Sequence, residues 1–111
     1  MAQDIKLIVY PVSDLEKAKT LYGKFLGAEP YADEAYYVGY KLKHLEVGLV
    51  PGGQEVVISY IDVTDIKSFL QDLVDAGATM HQDIKDVGGG LQIAQVKDVD
   101  GNVLGLRQPP K

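Results

Sequence analysis

Cysteine is absent from this 111-residue chain, and arginine occurs once, at Arg107. Without thiols there is no disulfide frame, no cysteine nucleophile and no thiolate metal site. Basic residues are the minority, eleven against sixteen acidic ones, leaving a net charge of −5. The lone arginine has no lysine cluster beside it, so the chain lacks the cationic surface that neutralises a phosphate backbone. Nucleic acid is not an expected partner. No apolar run approaches the roughly 20 residues that span a bilayer, and the opening Met-Ala-Gln-Asp lacks a signal peptide's basic and apolar regions. The expectation is a cytoplasmic protein with no membrane partner. What is present, 46% apolar and 24% charged residues, is the composition of one globular domain over residues 1–111 rather than of a disordered chain.

Periodicity divides the chain into elements. Asp4 to Val12 alternates as a strand, with Ile5, Leu7 and Val9 on one face and Ile8 and Tyr10 on the other. Pro11, lacking an N–H, is expected to end its ladder. Ser13 to Leu26 reads as an amphipathic helix. Ser13 and Glu16 have the spacing of a capping box, and Leu15, Ala18, Tyr22 and Phe25 form its apolar stripe. Glu16, Lys17, Lys19 and Lys24 form its wet side, and Gly27 its C-cap. Ala28 to Ala35 has room for one short strand, and Tyr36–Leu42 and Leu45–Val50 form a hairpin turning at Lys43-His44.

Past the connector Pro51-Gly52-Gly53-Gln54 the order repeats. Glu55 to Val63 is a strand, and Asp65 to Ala76 a helix with its stripe at Ile66, Phe69, Leu70, Leu73 and Val74. Gly77-Ala78 closes that helix as Gly27-Ala28 closes the first. Strands follow at Thr79–Val87, Leu91–Lys97 and Val103–Gln108, with Gly88-Gly89-Gly90 and the Asp98–Asn102 turn between them. Adding 51 carries Leu7 to Ile58, Val12 to Val63 and Asp14 to Asp65; adding 57 carries Val47-Gly48-Leu49 to Leu104-Gly105-Leu106. The shared pattern is a repeat of about 1–51 in about 54–111.

Three stretches carry a family resemblance. They are Val12-Ser13-Asp14-Leu15-Glu16-Lys17-Ala18 leading to Leu26-Gly27, Asp62-Val63-Thr64-Asp65-Ile66 leading to Ala76-Gly77-Ala78, and the turn Asp98-Val99-Asp100-Gly101-Asn102. In these the chain resembles the vicinal oxygen chelate superfamily of glyoxalase I, bleomycin-resistance proteins and extradiol dioxygenases. The resemblance implies an α+β fold of two βαβββ modules, whose curved mixed sheets enclose a cavity, and commonly a homodimer. Open sheet edges in so small a chain argue for a second copy as well. A four-stranded ferredoxin-like sandwich is the alternative fold.

Family enzymes hold a divalent metal on side chains from the first and last strand of each module. The resemblance places those positions at Leu7, Gly48, Ile58 and Gly105, and none of these has a side-chain donor. Only a two-residue slip of the hairpin would bring Glu46 into the set. His44 and His81 have no ligand spacing and read as solvent-facing. Gly88 to Gly90 lacks the lysine and helix start of a phosphate loop. Asp98 and Asp100 belong to a turn. The expectation is no metal and no cofactor.

Seven of the aromatic residues are tyrosine and two phenylalanine, and Tyr31, Tyr36, Tyr37 and Tyr40 crowd one stretch. If Leu7, Gly48, Ile58 and Gly105 line the cavity, alternation adds Ile5, Val9, Glu46, Val50, Val56, Tyr60, Val103 and Arg107. Tyr36, Tyr37 and Tyr40 are candidate walls, and the two glycines would leave open floor. Such a cavity suits a small hydrophobic or aromatic organic ligand oriented by Glu46, Tyr60 and Arg107. A metabolite- or antibiotic-binding protein is one function. An enzyme, metal-dependent or using Glu46 as base, is another. A ligand-free dimeric interaction module is the third.

Overall fold

A computed structural model describes residues 3–52 and 56–110. Gly53 and Gln54 of the expected connector and Glu55 of the strand after it lie outside the described residues. So do Met1 and Ala2 of the opening segment. The described residues divide into two compact units, Lys6–Val57 and Ile58 onward, with residues 3–5, the first residue of β1 among them, grouped with the second. The first holds β1 (Ile5–Val12), α1 (Leu15–Leu26), β2 (Ala32–Glu34), β3 (Tyr37–Lys41) and β4 (Glu46–Pro51); the second holds β5 (Ile58–Asp62), α2 (Ile66–Asp75), β6 (Thr79–Asp86), β7 (Gln92–Lys97) and β8 (Val103–Gln108). This is βαβββ twice. Neither helix is long and apolar enough to cross a membrane.

Each unit carries a mixed four-stranded sheet, in the orders β2-β3-β4-β1 and β6-β7-β8-β5. The first and last strands are parallel, with Val9 opposite Gly48 and Tyr60 opposite Gly105. Offsets of 51 and 57 convert one pairing into the other, so the repeat read from the sequence is also a repeat of register. Pro11 does not stop β1 as expected. It stays opposite Val50, and Val12 opposite Pro51, because a strand residue directs its N–H to one side only and the ladder survives through the flanking residues.

The N-cap of α1 is Asp14, not Ser13. Asp14 Oδ1 accepts from Lys17 N at 3.1 Å, and a carboxylate there also faces the positive end of the helix. Asp65 does the same for α2, accepting from Ser68 N at 3.1 Å. Each cap contributes about 1 kcal/mol. Gly27 takes the left-handed conformation (φ 65°) that closes α1, and Ala28 N donates back to Gly23 O at 3.2 Å.

Each helix covers one face of its own sheet. Ala18, with Leu15, Tyr22 and Leu26, packs on Tyr10, Val12, Val38, Tyr40, Val47 and Leu49. Phe25, expected in this stripe, is 74% exposed. At 100° per residue positions 15, 18, 22 and 26 share a face and position 25 falls on its flank, where its ring meets Tyr22 edge-on at 6.4 Å. In the second unit Ile66, Leu70, Phe69 and Leu73 pack on Val63, Ala94, Val96 and Leu106.

Candidate functional site

Strand alternation turns the remaining inward positions to the face that each helix leaves uncovered. In the first unit that face carries Leu7, Val9, Tyr37, Gly39, Lys41, Glu46 and Gly48. Gly39 and Gly48 are cross-strand partners, and together they seat two aromatic rings. A Cβ on Gly39 would lie 2.8 Å from Tyr37 Cε2 and 2.9 Å from Tyr31 Cε1; one on Gly48 would lie 2.6 Å from the Tyr37 hydroxyl. The rings thus lie in the space that the missing side chains leave. Tyr31 donates its hydroxyl hydrogen bond to Glu46 Oε1 at 2.6 Å. Lys41 Nζ lies 4.9 Å from the centre of the Tyr31 ring. The result is a compact group of two phenols, one carboxylate and one ammonium.

The second unit builds a different arrangement at the same repeat position. Tyr60, directly opposite Gly105, lays its ring over that glycine, and a Cβ there would press on Tyr60 Cδ1 and Cε1. Gln95 Nε2 donates to the Tyr60 hydroxyl at 2.8 Å. Arg107 is engaged with Asp62, Nε to Oδ1 at 2.8 Å and Nη2 to Oδ2 at 3.4 Å. The pair is only partly buried, so its geometry matters more than its energy.

Three phenols are held protonated beyond the ordinary tyrosine range. Burial raises Tyr31, with Glu46 adding to it. Burial raises Tyr60, opposed by the Gln95 donor and Arg107. Burial raises Tyr40 too, opposed by Lys19 and reinforced by Asp33 and Glu29. A phenol whose folded pKa exceeds its unfolded value of about 10 gives stability that is complete below pH 10 and is lost as the pH climbs past it. The phenolate absorbance of these three is expected to appear late in an alkaline titration, together with unfolding. Tyr31→Phe should flatten part of that alkaline loss of stability. An unchanged stability–pH curve in that variant would contradict the assignment.

The expected site residues fall into distinct places. Leu7, Ile58, Gly48 and Gly105 are all buried, and the floor expected to be open over the glycines is occupied by Tyr37 and Tyr60. The reason is steric: a strand position without a Cβ is where a neighbouring ring lies flat. Tyr40 lies on the opposite face, 0% exposed, its hydroxyl donating to Lys19 O at 2.9 Å. It is three residues from Tyr37, and an odd separation reverses the face. Tyr36 precedes β3 and is exposed. Ile5 and Val56 are exposed, while Val9 and Val103 are buried and Val50 half-buried. The sequence does not single out Gly39, Lys41, Asp62 or Gln95, and it marks Tyr31 only as one of four crowded tyrosines. Tyr31 lies outside any strand, tied by its N–H to Gly39 O at 2.9 Å, and no periodicity points to it.

The divalent metal of the family enzymes does not fit these residues. Leu7 and Ile58 offer no lone pair, and the two glycine positions lie under rings. Glu46 has not slipped into the set: it is opposite Leu7 and Lys41, with Tyr31 on its oxygen. His44 and His81 are exposed, at a turn and on β6. Among the described residues no three His, Asp or Glu side chains converge as a metal would require. In the Asp98–Asn102 turn Asp98 Oδ1 accepts from Asp100 N and Asn102 N, both at 2.9 Å. The Asn102 side chain and backbone hold its carboxyl below the usual range.

A family model described as Glyoxalase/Bleomycin resistance protein/Dioxygenase superfamily matches residues 4–106. Among solved structures, a hypothetical protein from Bacillus halodurans C-125 superposes with a TM-score of 0.82 at 12% identity, over 100% of this chain and 97% of that one. A member of the same superfamily from Vibrio splendidus 12B01 gives 0.72 at 16% identity, over 96% and 99%. Methylmalonyl-CoA epimerase from Streptomyces coelicolor, in complex with 2-nitronate-propionyl-CoA, gives 0.77 at 14% identity, over 98% and 99%. At these identities the likeness is one of fold. A comparison with curated proteins found no match.

Proposed function

The chain belongs to the Glyoxalase/Bleomycin resistance protein/Dioxygenase superfamily, and from that premise we propose that it binds a small organic ligand without a metal. One observation carries the reading: where the family places metal-binding side chains, this chain has aliphatic residues and glycines, and the glycines seat tyrosine rings. Rings and apolar strand residues supply contact area for an aromatic or hydrophobic molecule, and Tyr31, Tyr37 and Glu46 supply the few polar groups that orient it. Tyr60, Gln95, Arg107 and Asp62 offer a second polar edge on the other unit. A second reading, proton transfer by Glu46, draws on the short Tyr31–Glu46 bond and on the epimerase fold likeness. In it Tyr31 would hold the carboxylate in place.

A thermal-shift and native mass-spectrometry screen of small organic molecules tests the proposal. Gly48→Trp, which would displace Tyr37 and fill its face, is expected to weaken a hit at least tenfold with the fold intact by circular dichroism. Unchanged affinity would put the ligand elsewhere. Turnover of the hit that disappears in Glu46→Gln while binding persists would instead favour the enzyme.

The proposal includes a homodimer. β2 and β6 are the terminal strands of their sheets, and terminal strands present unused backbone groups that a second copy can cover. Sedimentation at micromolar concentration should give twice the 12.1 kDa of the chain. A single species of chain mass would refute it.

A further inference from the structure

We infer that the ligand of the first unit's open face is an organic cation, its charged nitrogen seated between the Tyr31 ring and the Glu46 carboxylate. The inference rests on the ligand-binding reading of that face and adds the charge of what binds there. The protein already sets a cation of its own on that ring. Lys41 Nζ stands 4.9 Å from the Tyr31 ring centre, within the distance at which an ammonium is attracted by an aromatic face. Lys41 is directly opposite Glu46 across the β3–β4 ladder, and Tyr31 is hydrogen-bonded to the same carboxylate. The ring thus touches both groups, the carboxylate at its hydroxyl and the ammonium at its face.

Two features make that position exchangeable. Lys41 is exposed, and its ammonium sits on a flexible four-carbon stem that can swing into water. The ring and carboxylate are not mobile in the same way. Tyr31 and Tyr37 rest together on Gly39, and the 2.6 Å bond fixes the Tyr31 edge to Glu46. Once Lys41 swings away, the charged side chains left on the described strands of this face are carboxylates. Glu46 is one, and Glu34, opposite Tyr37 on the neighbouring strand, is another; cross-strand partners project to the same side. An anion would meet two carboxylates there. A cation of low hydration, such as a substituted ammonium, would gain both the ring and the charge.

Choline and dimethylbutanol, its uncharged carbon isostere, separate charge from shape. Both can be titrated into the full chain and followed by NMR, in wild type, Glu46→Gln and Lys41→Met. Choline is expected to bind about tenfold more tightly than the isostere, and Glu46→Gln to remove most of that advantage. Lys41→Met, which removes the competing internal cation, should tighten choline severalfold and change the isostere by no more than about twofold. Equal affinity for the two probes would overturn the inference, as would weaker choline binding in Lys41→Met or no choline binding in that variant. A neutral screening hit that is lost in Gly48→Trp would leave the ligand-binding reading standing while this one falls. If no compound of either kind perturbs the face, both fall.

Discussion

Gly105→Ala is expected to destabilise the protein by about 3 kcal/mol, and Gly48→Ala by only about 1 kcal/mol. Both changes add one methyl group beneath a tyrosine ring, at equivalent positions of the repeat. The difference lies in which part of the ring is struck. At Gly105 the new Cβ meets Cδ1 and Cε1 of Tyr60 and comes within 2.8 Å of Cγ, near the root of the side chain, which clears only by a change of χ1 rotamer or a shift of the backbone. Tyr60 is also 6% exposed and tethered at its far end by Gln95, so it has no free direction of escape. At Gly48 the nearest atoms are the hydroxyl, Cε1 and Cζ of Tyr37, the tip of a half-buried ring that a small χ rotation clears. Chemical denaturation of both variants measures the contrast. Equal losses would mean that the rings do not rest on these glycines as described.

Leu106→Ala is expected to cost about 3 kcal/mol, and to lower the midpoint of thermal unfolding by roughly 10–20 °C. Leu106 is 1% exposed and packs among Val63, Ile66, Leu70, Ala94 and Val96. Its side chain fills the seam between α2 and the sheet, and the helix and strands around it cannot all close on the space that alanine would leave. Leu104 provides the control. It lies on the same strand and, by alternation, on the same side, but beyond the helix's reach at 38% exposure. Leu104→Ala should cost less than about 1 kcal/mol. Similar losses at the two positions would show that α2 does not cover the sheet where the packing places it.

The order of elements was readable because it depends on local chemistry. Alternation marks a strand and a period of 3.6 marks a helix, whatever lies across from them. The repeat emerged for the same reason: offsets of 51 and 57 connect residues of matching pattern, and the ladders of β1 with β4 and β5 with β8 carry the same offsets. Even the errors there were local. Ser13 and Asp14 are both good caps, one residue apart, and propensity does not rank them strongly. Phe25 and Leu26 compete for one stripe, and only packing against β3 and β4 selects Leu26.

The candidate site depends on facts of another kind. Parity along a strand separates Tyr37 from Tyr40, but it does not say which of the two faces α1 will cover. Nor does it say that glycines on adjacent strands will fall opposite each other and admit Tyr31 and Tyr37, or that Arg107 will be claimed by Asp62, 45 residues earlier. Those outcomes follow from register between strands distant in sequence and from the space left where a Cβ is missing. Local periodicity carries the βαβββ order and its repetition, since each element's pattern is written within its own few residues. The roofed glycines, the Tyr31–Glu46 bond and the ammonium on the Tyr31 ring arise only when separate strands meet, because a contact is a property of two segments and neither segment's sequence contains it.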